Sequence, residues 1–405
     1  MLFQIRNGEV VINSPMLKDD VFFNNIEKIG GYTMNVTVIG ASNGGKAAAA
    51  DMTLAGHDVT LFEFPQFAQN LVEVKKAGGI NLIGVGRNGF AKLHAVTDDI
   101  RVALEHPDII VNVMSAFGHR VSAQTCAPYL KDGQVVVLNP GSTLGSLEYR
   151  QVLNAEGVTA KIKIGDVHTL TYAARGSGAD VRILLEVKKL WLAAFPAIDT
   201  PEVLAKFKQL YPVTEAGKNL LDVGLNNGNP IAHPGPALLN AGRVEYAQGE
   251  FYHYKEGITP HVANIIQALD DERQALCNKM GYPAIPTTER MRLMGYATTN
   301  SSLYEAYNTS PVFCGEHPIK GPYSVMDRYF VEDTMYGLVT WSSLGQNIGV
   351  STPTINAVIH LISMLHQTNY FDKGERSLDG FGLSGLNVEE LNRFFDIGSL
   401  PANHG

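Results

Sequence analysis

From Met34 onward, short apolar runs alternate with longer helix-favouring stretches. Val36-Thr37-Val38-Ile39 comes first, followed by a glycine-rich turn, a run from Lys46 to Leu54 and a break at Gly56. Val59-Thr60-Leu61-Phe62 is the next strand and ends at Glu63. Residues 80 to 97 read as strands joined by glycine turns, a hairpin excursion from the main pattern. Asp108 to Val113 is an almost unbroken β-branched run, as expected of a parallel strand buried on both faces. Val121 to Leu130 predicts a helix and Gln134 to Leu138 another buried strand. Lys161–Ile164 and Val181–Val187 continue the series. Short apolar strands separated by helices predict an α/β, doubly wound parallel sheet of the Rossmann type.

After about residue 195 the spacing becomes helical. Thr259 is a good N-cap with Pro260 at the first helical position. Val262, Ile265, Ile266, Leu269 and Leu276 then recur on one face, and Gly281 supplies the stop. Further helices are expected at 201–210, 234–241, 335–347, 354–368 and 387–395. The expected division is an extension at 1–33, a nucleotide-binding domain at 34–198 and a mainly helical domain at 199–405, with the boundary somewhere in 190–205. The extension holds Asp19, Asp20, Glu27 and Lys28 and no apolar stretch of the secretory kind. Val10-Val11-Ile12 predicts a short strand within it.

Composition narrows the class. A chain of 405 residues exceeds one ordinary core, so two domains are expected. Hydrophobic residues at 45% and charged residues at 18% describe a soluble globular protein. A net charge of −8 gives no electrostatic footprint for nucleic acid. No run is apolar enough to predict a membrane span. Cys126, Cys277 and Cys314 lie far apart with no CxxC, which points to a reducing, cytoplasmic setting and to no metal cage.

The turn after the first strand reads Gly40-Ala41-Ser42-Asn43-Gly44-Gly45. It matches G-x-G-x-x-G at the first and third glycines and places Ser42 at the second. A strand precedes it, a helix follows, and Glu63 stands 18 residues past Gly45. The helix N-terminus offers free N–H groups and a partial positive charge to phosphate. Glu63 can hold a ribose hydroxyl. A 2′-phosphate there meets a like charge, worth roughly 4 kcal/mol at about 4 Å and a dielectric near 20. No arginine or lysine stands beside it, so NAD(H) is favoured, with NADP(H) as the alternative. Two more strand ends face the same crevice. One is Ser115-Ala116-Phe117-Gly118-His119. The other is Asn139-Pro140-Gly141-Ser142-Thr143, whose amides and hydroxyls suit the nicotinamide or a carboxylate.

Chemistry concentrates downstream. In Gly228-Asn229-Pro230-Ile231-Ala232-His233-Pro234 a histidine is pinned between prolines, on a backbone stiff enough to deliver a proton to one place. His233 is therefore the leading acid/base candidate. Arg328 and Asp333, five residues apart, can serve a single site: arginine grips a carboxylate in two-pronged fashion. An aspartate beside a histidine fixes its tautomer and favours its protonated form. Tyr329, Phe330 and Tyr336 read as core.

The runs NGNPIAHPGPALLNAG (227–242) and RYFVEDTMYGLV (328–339), with Tyr172-Ala173-Ala174-Arg175 and the loop at 139–142, resemble the opine dehydrogenases of the octopine/nopaline type. The resemblance spans most of residues 34 to 390. It implies a Rossmann domain followed by a helical domain with the active site between them. It further implies reductive condensation of an amino acid with a 2-oxo acid, through an imine reduced by NAD(P)H. By resemblance His233 is the catalytic histidine, Asp333 its partner, Arg328 the carboxylate clamp, and Asn240 a residue that positions substrate or supports the loop. The chain departs from the family pattern at Met335, where proline is common, and at Ser42.

Two other readings stay open. One is a 2-hydroxy-acid or ketopantoate-like dehydrogenase on the same plan, with Lys188 or Lys189 as proton donor. The other is a non-catalytic NADH-binding sensor. The expected partners are a small-molecule amino acid and 2-oxo acid, with no nucleic acid or membrane and with a homodimer as the candidate assembly.

Overall fold

The computed structural model describes residues 33–400 continuously, together with Gln4–Arg6 and Glu9–Val11. Those two short strands pair antiparallel, with Ile5 opposite Val10. The strand expected at Val10–Ile12 is thus present at Val10 and Val11, and Ile12 lies outside the described residues. The chain from Thr33 onward forms a separate compact unit.

Its described strands are, in chain order, β1 (Asn35–Ile39), β2 (Asp58–Phe62), β3 (Ile80–Gly84), β4 (Gly89–Ala91), β5 (Ala95–Thr97), β6 (Ile109–Asn112), β7 (Val135–Leu138), β8 (Lys163–Val167), β9 (Tyr172–Ser177), β10 (Asp180–Glu186), β11 (Leu190–Phe195) and β12 (Thr214–Ala216). The main sheet runs β12-β11-β8-β7-β6-β1-β2-β5. Its six strands from β8 to β5 are mutually parallel, while β11 and β12 run against them. The apolar runs are continuous because both faces are covered. Val36 and Val38 pack on one side with Ala47–Ala50 of helix α1 (Asn43–Leu54) and Phe207 of the helix Thr200–Leu210. Ile39, Ile110, Val136 and Leu138 pack on the other side with Ala123, Tyr149 and Leu153. The alanines of α1 let the helix lie close to the sheet, where bulkier side chains hold it away.

Two expectations need correction. The strand expected at Val181–Val187 does not join the parallel series. It is β10, in a second sheet of order β9-β10-β3-β4. The reason is legible in its alternation: Asp180 and Arg182 are exposed while Val181 and Ile183 are buried, the signature of a sheet covered on one face. The main sheet also runs past the boundary placed at 198. The fully buried β11, the helix Thr200–Leu210 and β12 extend it to Ala216.

Beyond Ala216 the described chain is helical. In the helix Pro260–Met280 the Thr259 hydroxyl accepts from the Val262 amide, and Gly281 takes φ +74° as a left-handed stop. The helices expected at 354–368 and 387–395 appear at Pro353–Leu365 and Val388–Ile397. The helix expected at 335–347 begins instead with a π-helical turn, Thr334–Leu338, before Val339–Ile348. A second π turn spans His253–Gly257. Such turns re-aim side chains that a regular helix points elsewhere, and these two adjoin Asp333 and carry Tyr254. No described helix is long and apolar enough to cross a membrane.

Candidate active site

A cleft of about 440 Å³ opens where the carboxyl ends of β1, β6 and β7 face the helical segment. The chain ends its parallel strands there, and open α/β sheets bind ligands at that edge.

On the sheet side, Gly40 has φ +96°, a conformation that favours glycine. A Cβ on Gly45 falls 1.7 Å from the Gly40 carbonyl oxygen, so the turn needs glycine there. Ser42 has φ −71°, which any residue adopts, and this explains why serine is tolerated at the middle position. The first bond of α1 runs from Lys46 N to Ser42 O, no side chain caps the helix, and its first turn holds no acid. The amides of Asn43, Gly44 and Gly45 therefore precede the first intrahelical bond and are free for an anion. Glu63 lines the cleft, but its carboxylate already accepts from Ala41 N (2.9 Å), Phe64 N (3.0 Å) and Asn70 Nδ2 (3.1 Å). A carboxylate has about four acceptor positions, so it fixes the glycine turn and retains about one for a hydroxyl.

Ser115 and Pro140 line the cleft. The rest of the 139–143 loop turns away from it, contrary to expectation. Asn139 exchanges hydrogen bonds with Thr171. A Cβ on Gly141 falls 2.1 Å from the Asp166 carboxyl carbon. Ser142 is buried at φ 58° and Thr143 is fully buried. The cause is Arg376, itself fully buried: its Nη1 donates to the carbonyls of Gly141 (2.9 Å) and Thr143 (3.1 Å), and its Nη2 to Glu148 (2.8 Å). His119 belongs to the same cluster and not to the cleft. It is fully buried with Nδ1 2.9 Å from Arg376 Nη2, and burial followed by the Arg376 charge holds its pKa well below normal.

On the helical side the expected residues meet. His233 Nδ1 lies 2.7 Å from Asp333 Oδ2, with the two side chains 7% and 3% exposed. Its Nε2 lies 2.8 Å from the Tyr254 hydroxyl. The imidazole stacks on Tyr329 at 3.8 Å and 4°. Tyr329 lines the cleft, which corrects its reading as core, while Phe330 is fully buried and Tyr336 packs edge-on against Phe117. Asn240 lies off the cleft. Its Nδ2 donates to the carbonyls of Pro236 (2.8 Å) and Gly257 (3.0 Å), tying the histidine loop to the Tyr254 turn.

Arg328 and Asp333 do not pair. Five residues on a helix turn through about 140°, so the two point to different sides. Arg328 instead donates from Nε to Glu332 at 2.8 Å, one helical turn along, and its side chain is half exposed in the cleft. Glu332 is the near neighbour that sequence reasoning passed over, although its i,i+4 spacing from Arg328 signals it. Arg290 was also missed. This buried side chain donates to the Asn226 carbonyl (2.5 Å) and to Thr287 Oγ1 (2.8 Å), bracing the loop that leads to His233. No spacing rule reveals Arg290 or Tyr254.

The electrostatics also differ from expectation. Asp333 was expected to raise the His233 pKa. Burial, then the Arg328 charge, lowers it, and burial pushes Asp333 up to about 7. The two groups share one titrating proton, and its pKa belongs to the pair. While that proton is present, Nε2 can carry an N–H toward Tyr254. Once it is lost, Nδ1–H donates to the carboxylate and Nε2 accepts from the hydroxyl. Titration of the pair thus converts Nε2 from acid to base.

The wall beyond His233 is mainly aromatic and apolar, with Arg175 and Arg290 also lining the cleft. Tyr254 and Phe313 stack at 4.1 Å, Tyr296 stacks on Phe313 at 5.1 Å, and Met291, Met294 and Ile319 complete the surface. No lysine lines the cleft among the described residues. Lys189 pairs with Glu215 at 2.9 Å, away from it.

A family model for the alpha-helical domain of NAD/NADP octopine/nopaline dehydrogenases matches residues 216–366. An opine dehydrogenase of Arthrobacter sp. (strain 1C) is 35% identical over 350 residues, covering 86% of this chain and 95% of that protein. A solved octopine dehydrogenase in complex with NADH and agmatine superimposes with a TM-score of 0.72 at 18% identity, covering 92% of this chain and 100% of that one. A second octopine dehydrogenase structure, with NADH and pyruvate, gives 0.64 at 19% identity, covering 87% and 98%. At these identities the solved structures establish a shared fold.

Proposed function

The chain belongs to the opine dehydrogenase family, and on that premise we propose that it catalyses the NAD(H)-dependent reductive condensation of an amino acid with a pyruvate-like 2-oxo acid, and the reverse oxidation. The observation that carries the reading is the buried His233–Asp333 pair, at 2.7 Å, opening on a cleft shared with Arg328 and the glycine turn.

The glycine turn and the open N-terminus of α1 fit a dinucleotide: the amides of 43–45 take the pyrophosphate and Glu63 the ribose. The carboxylate at the end of β2 supports NAD(H), with NADP(H) as the alternative. Bound there, the cofactor supplies a hydride to the imine carbon. Arg328 holds the carboxylate of the oxo acid through its Nη groups and fixes the carbon that receives the amine. Condensation of amine with carbonyl releases water. His233 Nε2, charged through Asp333, gives the proton that completes reduction and takes it back in the oxidative direction. Such a group contributes about 10²–10⁴-fold. Tyr254 orients Nε2, and the Tyr329 ring holds the imidazole plane.

The aromatic wall supports an amino acid with an apolar side chain over a cationic one, which loses its hydration there and meets Arg175 and Arg290, also in the cleft lining. The reducing-compartment reading of the cysteines supports a cytoplasmic enzyme. The lysine-dependent dehydrogenase reading loses support, since no described lysine lines the cleft.

The test is NADH oxidation with pyruvate plus a pool of amino acids, against pyruvate alone and amino acids alone. Consumption only with both present is the expected result. Consumption with pyruvate alone indicates a hydroxy-acid dehydrogenase, and no consumption with any oxo acid or with NADPH overturns the catalytic reading.

A further inference from the structure

We propose that Arg175 is a specificity-determining residue that binds the α-carboxylate of the incoming amino acid, so that the enzyme distinguishes α-amino acids from plain amines. The proposal rests on the function set out above. That reaction brings two carboxylates into one cleft, one on the oxo acid and one on the amino acid, on either side of the new C–N bond. Two anions held so close repel unless each meets a cation. Three arginines line the cleft: Arg175, Arg290 and Arg328. Arg290 is buried and committed to the Asn226 carbonyl and Thr287. Arg328 shares its charge with Glu332 and serves the oxo acid. Arg175 is exposed, in β9. Among the described residues its one hydrogen bond runs from Nη1 to the carbonyl of its own neighbour Ala174, at 2.8 Å, and no described carboxylate pairs with it. The Nε–Nη2 edge of the guanidinium is left for a two-pronged grip.

Position favours the amino acid. Burial raises the Tyr296 and Tyr329 hydroxyls, and the Arg175 charge opposes that rise at both, so the guanidinium faces these two rings. Tyr329 is the ring stacked on His233, and Tyr296 stacks on Phe313 in the aromatic wall. Arg175 therefore stands by the proton donor and by the surface that receives the amino acid's side chain, where that amino acid's own carboxylate comes to rest. The strand around it points the same way. The β9–β10 ladder slips by one residue between Ala173 and Ala174, and Arg175 then lies directly opposite Arg182. Like charges facing each other weaken a ladder. Such slips recur beside active sites, where they re-aim a side chain. The stability of the sheet accounts for neither feature, whereas an anion on Arg175 accounts for both.

The experiment measures NADH oxidation by the full-length protein with pyruvate and either an amino acid or the amine made by removing its carboxyl group. The pairs are L-leucine with isopentylamine and L-phenylalanine with 2-phenylethylamine. Wild-type kcat/KM is expected to favour the amino acid about 10- to 150-fold, the worth of a hydrogen-bonded charge pair. In Arg175→Met that preference falls to within about 3-fold of one, because the amino acid loses rate and the amine does not. Arg175→Lys keeps the charge without the fork and is expected to fall between the two. KM for pyruvate and the NADH dissociation constant, read by fluorescence, stay near the wild-type values in both variants. If the methionine variant does not fold, the lysine variant decides alone. A preference that survives in the variants, with amino acid and amine slowed alike, overturns the assignment and leaves Arg175 structural. A rise confined to the pyruvate KM, or weakened NADH binding, overturns it in favour of the oxo acid or the dinucleotide. A wild type that condenses other amino acids but neither of these overturns the apolar wall and the carboxylate subsite built beside it. A wild type that condenses no amine with any oxo acid overturns the proposed function, and this inference with it.

Discussion

Replacing Asp333 with asparagine separates chemistry from stability at one atom. The Asp333 oxygen lies 2.7 Å from His233 Nδ1 in a setting only 3% exposed. Asparagine keeps the shape and a hydrogen bond but removes the site that holds the pair's proton. A buried hydrogen bond to a charged group is worth about 1.5–3 kcal/mol, so kcat for reductive condensation falls roughly 10- to 150-fold. The pH profile changes too. Burial holds the Asp333 carboxyl protonated up to about 7, so wild-type reductive kcat/KM declines above pH 7, and the variant lacks that limb. Stability moves the other way. A carboxyl with a folded pKa above its unfolded value binds more protons when folded, so its contribution is present below about pH 4 and is lost as pH rises toward 7. Asparagine does not titrate, so the variant gains on the wild type across that window and is no less stable at pH 8. The assays are NADH oxidation from pH 5.5 to 9 and urea unfolding at pH 4, 6 and 8. A variant that retains the pH 7 limb, or that loses activity only in proportion to lost stability, refutes the assignment.

Other substitutions read the same cleft. Arg328→Lys keeps charge but not the two-pronged geometry, so KM for the oxo acid rises about 10- to 100-fold with a smaller change in kcat; an unchanged KM removes Arg328 from substrate binding. Tyr254→Phe deletes the hydroxyl 2.8 Å from His233 Nε2 and lowers kcat about 2- to 12-fold, from roughly 0.5–1.5 kcal/mol, with melting temperature nearly constant. Oxamate binding to the NADH-loaded protein at pH 8 takes up protons, because an anion offsets the Arg328 charge that depresses His233. Calorimetry in two buffers of different ionisation enthalpy reads this directly, and zero uptake contradicts it.

The strands and the principal helices were legible because their signals are local. Burial on both faces writes continuous apolar runs such as Asp108–Val113, and the Thr259–Pro260 cap and Gly281 stop mark a helix from both ends. His233 stood out for a similar reason: flanking prolines are a property of neighbours in sequence. Misreadings arose where the environment comes from distant chain. The 139–143 loop has the hydroxyls and amides of a ligand loop, yet a guanidinium from residue 376 binds its Gly141 and Thr143 carbonyls, and Thr171 takes the Asn139 side chain. His119 fell to the same cause. The His233 pKa was misjudged because pairing with a carboxylate can be read from a motif, whereas the cost of burial cannot. Tyr254 and Arg290 carry no spacing signal at all, since π turns and loop braces depend on three-dimensional packing.

The buried Arg376 has a consequence for how the protein matures. Synthesis runs from the N-terminus, so the parallel strands and the glycine turn leave the ribosome long before residue 376. Until then the Gly141 and Thr143 carbonyls and the Glu148 carboxylate lack their shared donor, and the loop that presents Pro140 to the cleft is held only from the Asn139–Thr171 and Gly141–Val167 side. The nucleotide half is translated first but finished last, and a nascent or prematurely terminated chain carries the whole dinucleotide fingerprint without a completed pocket behind it.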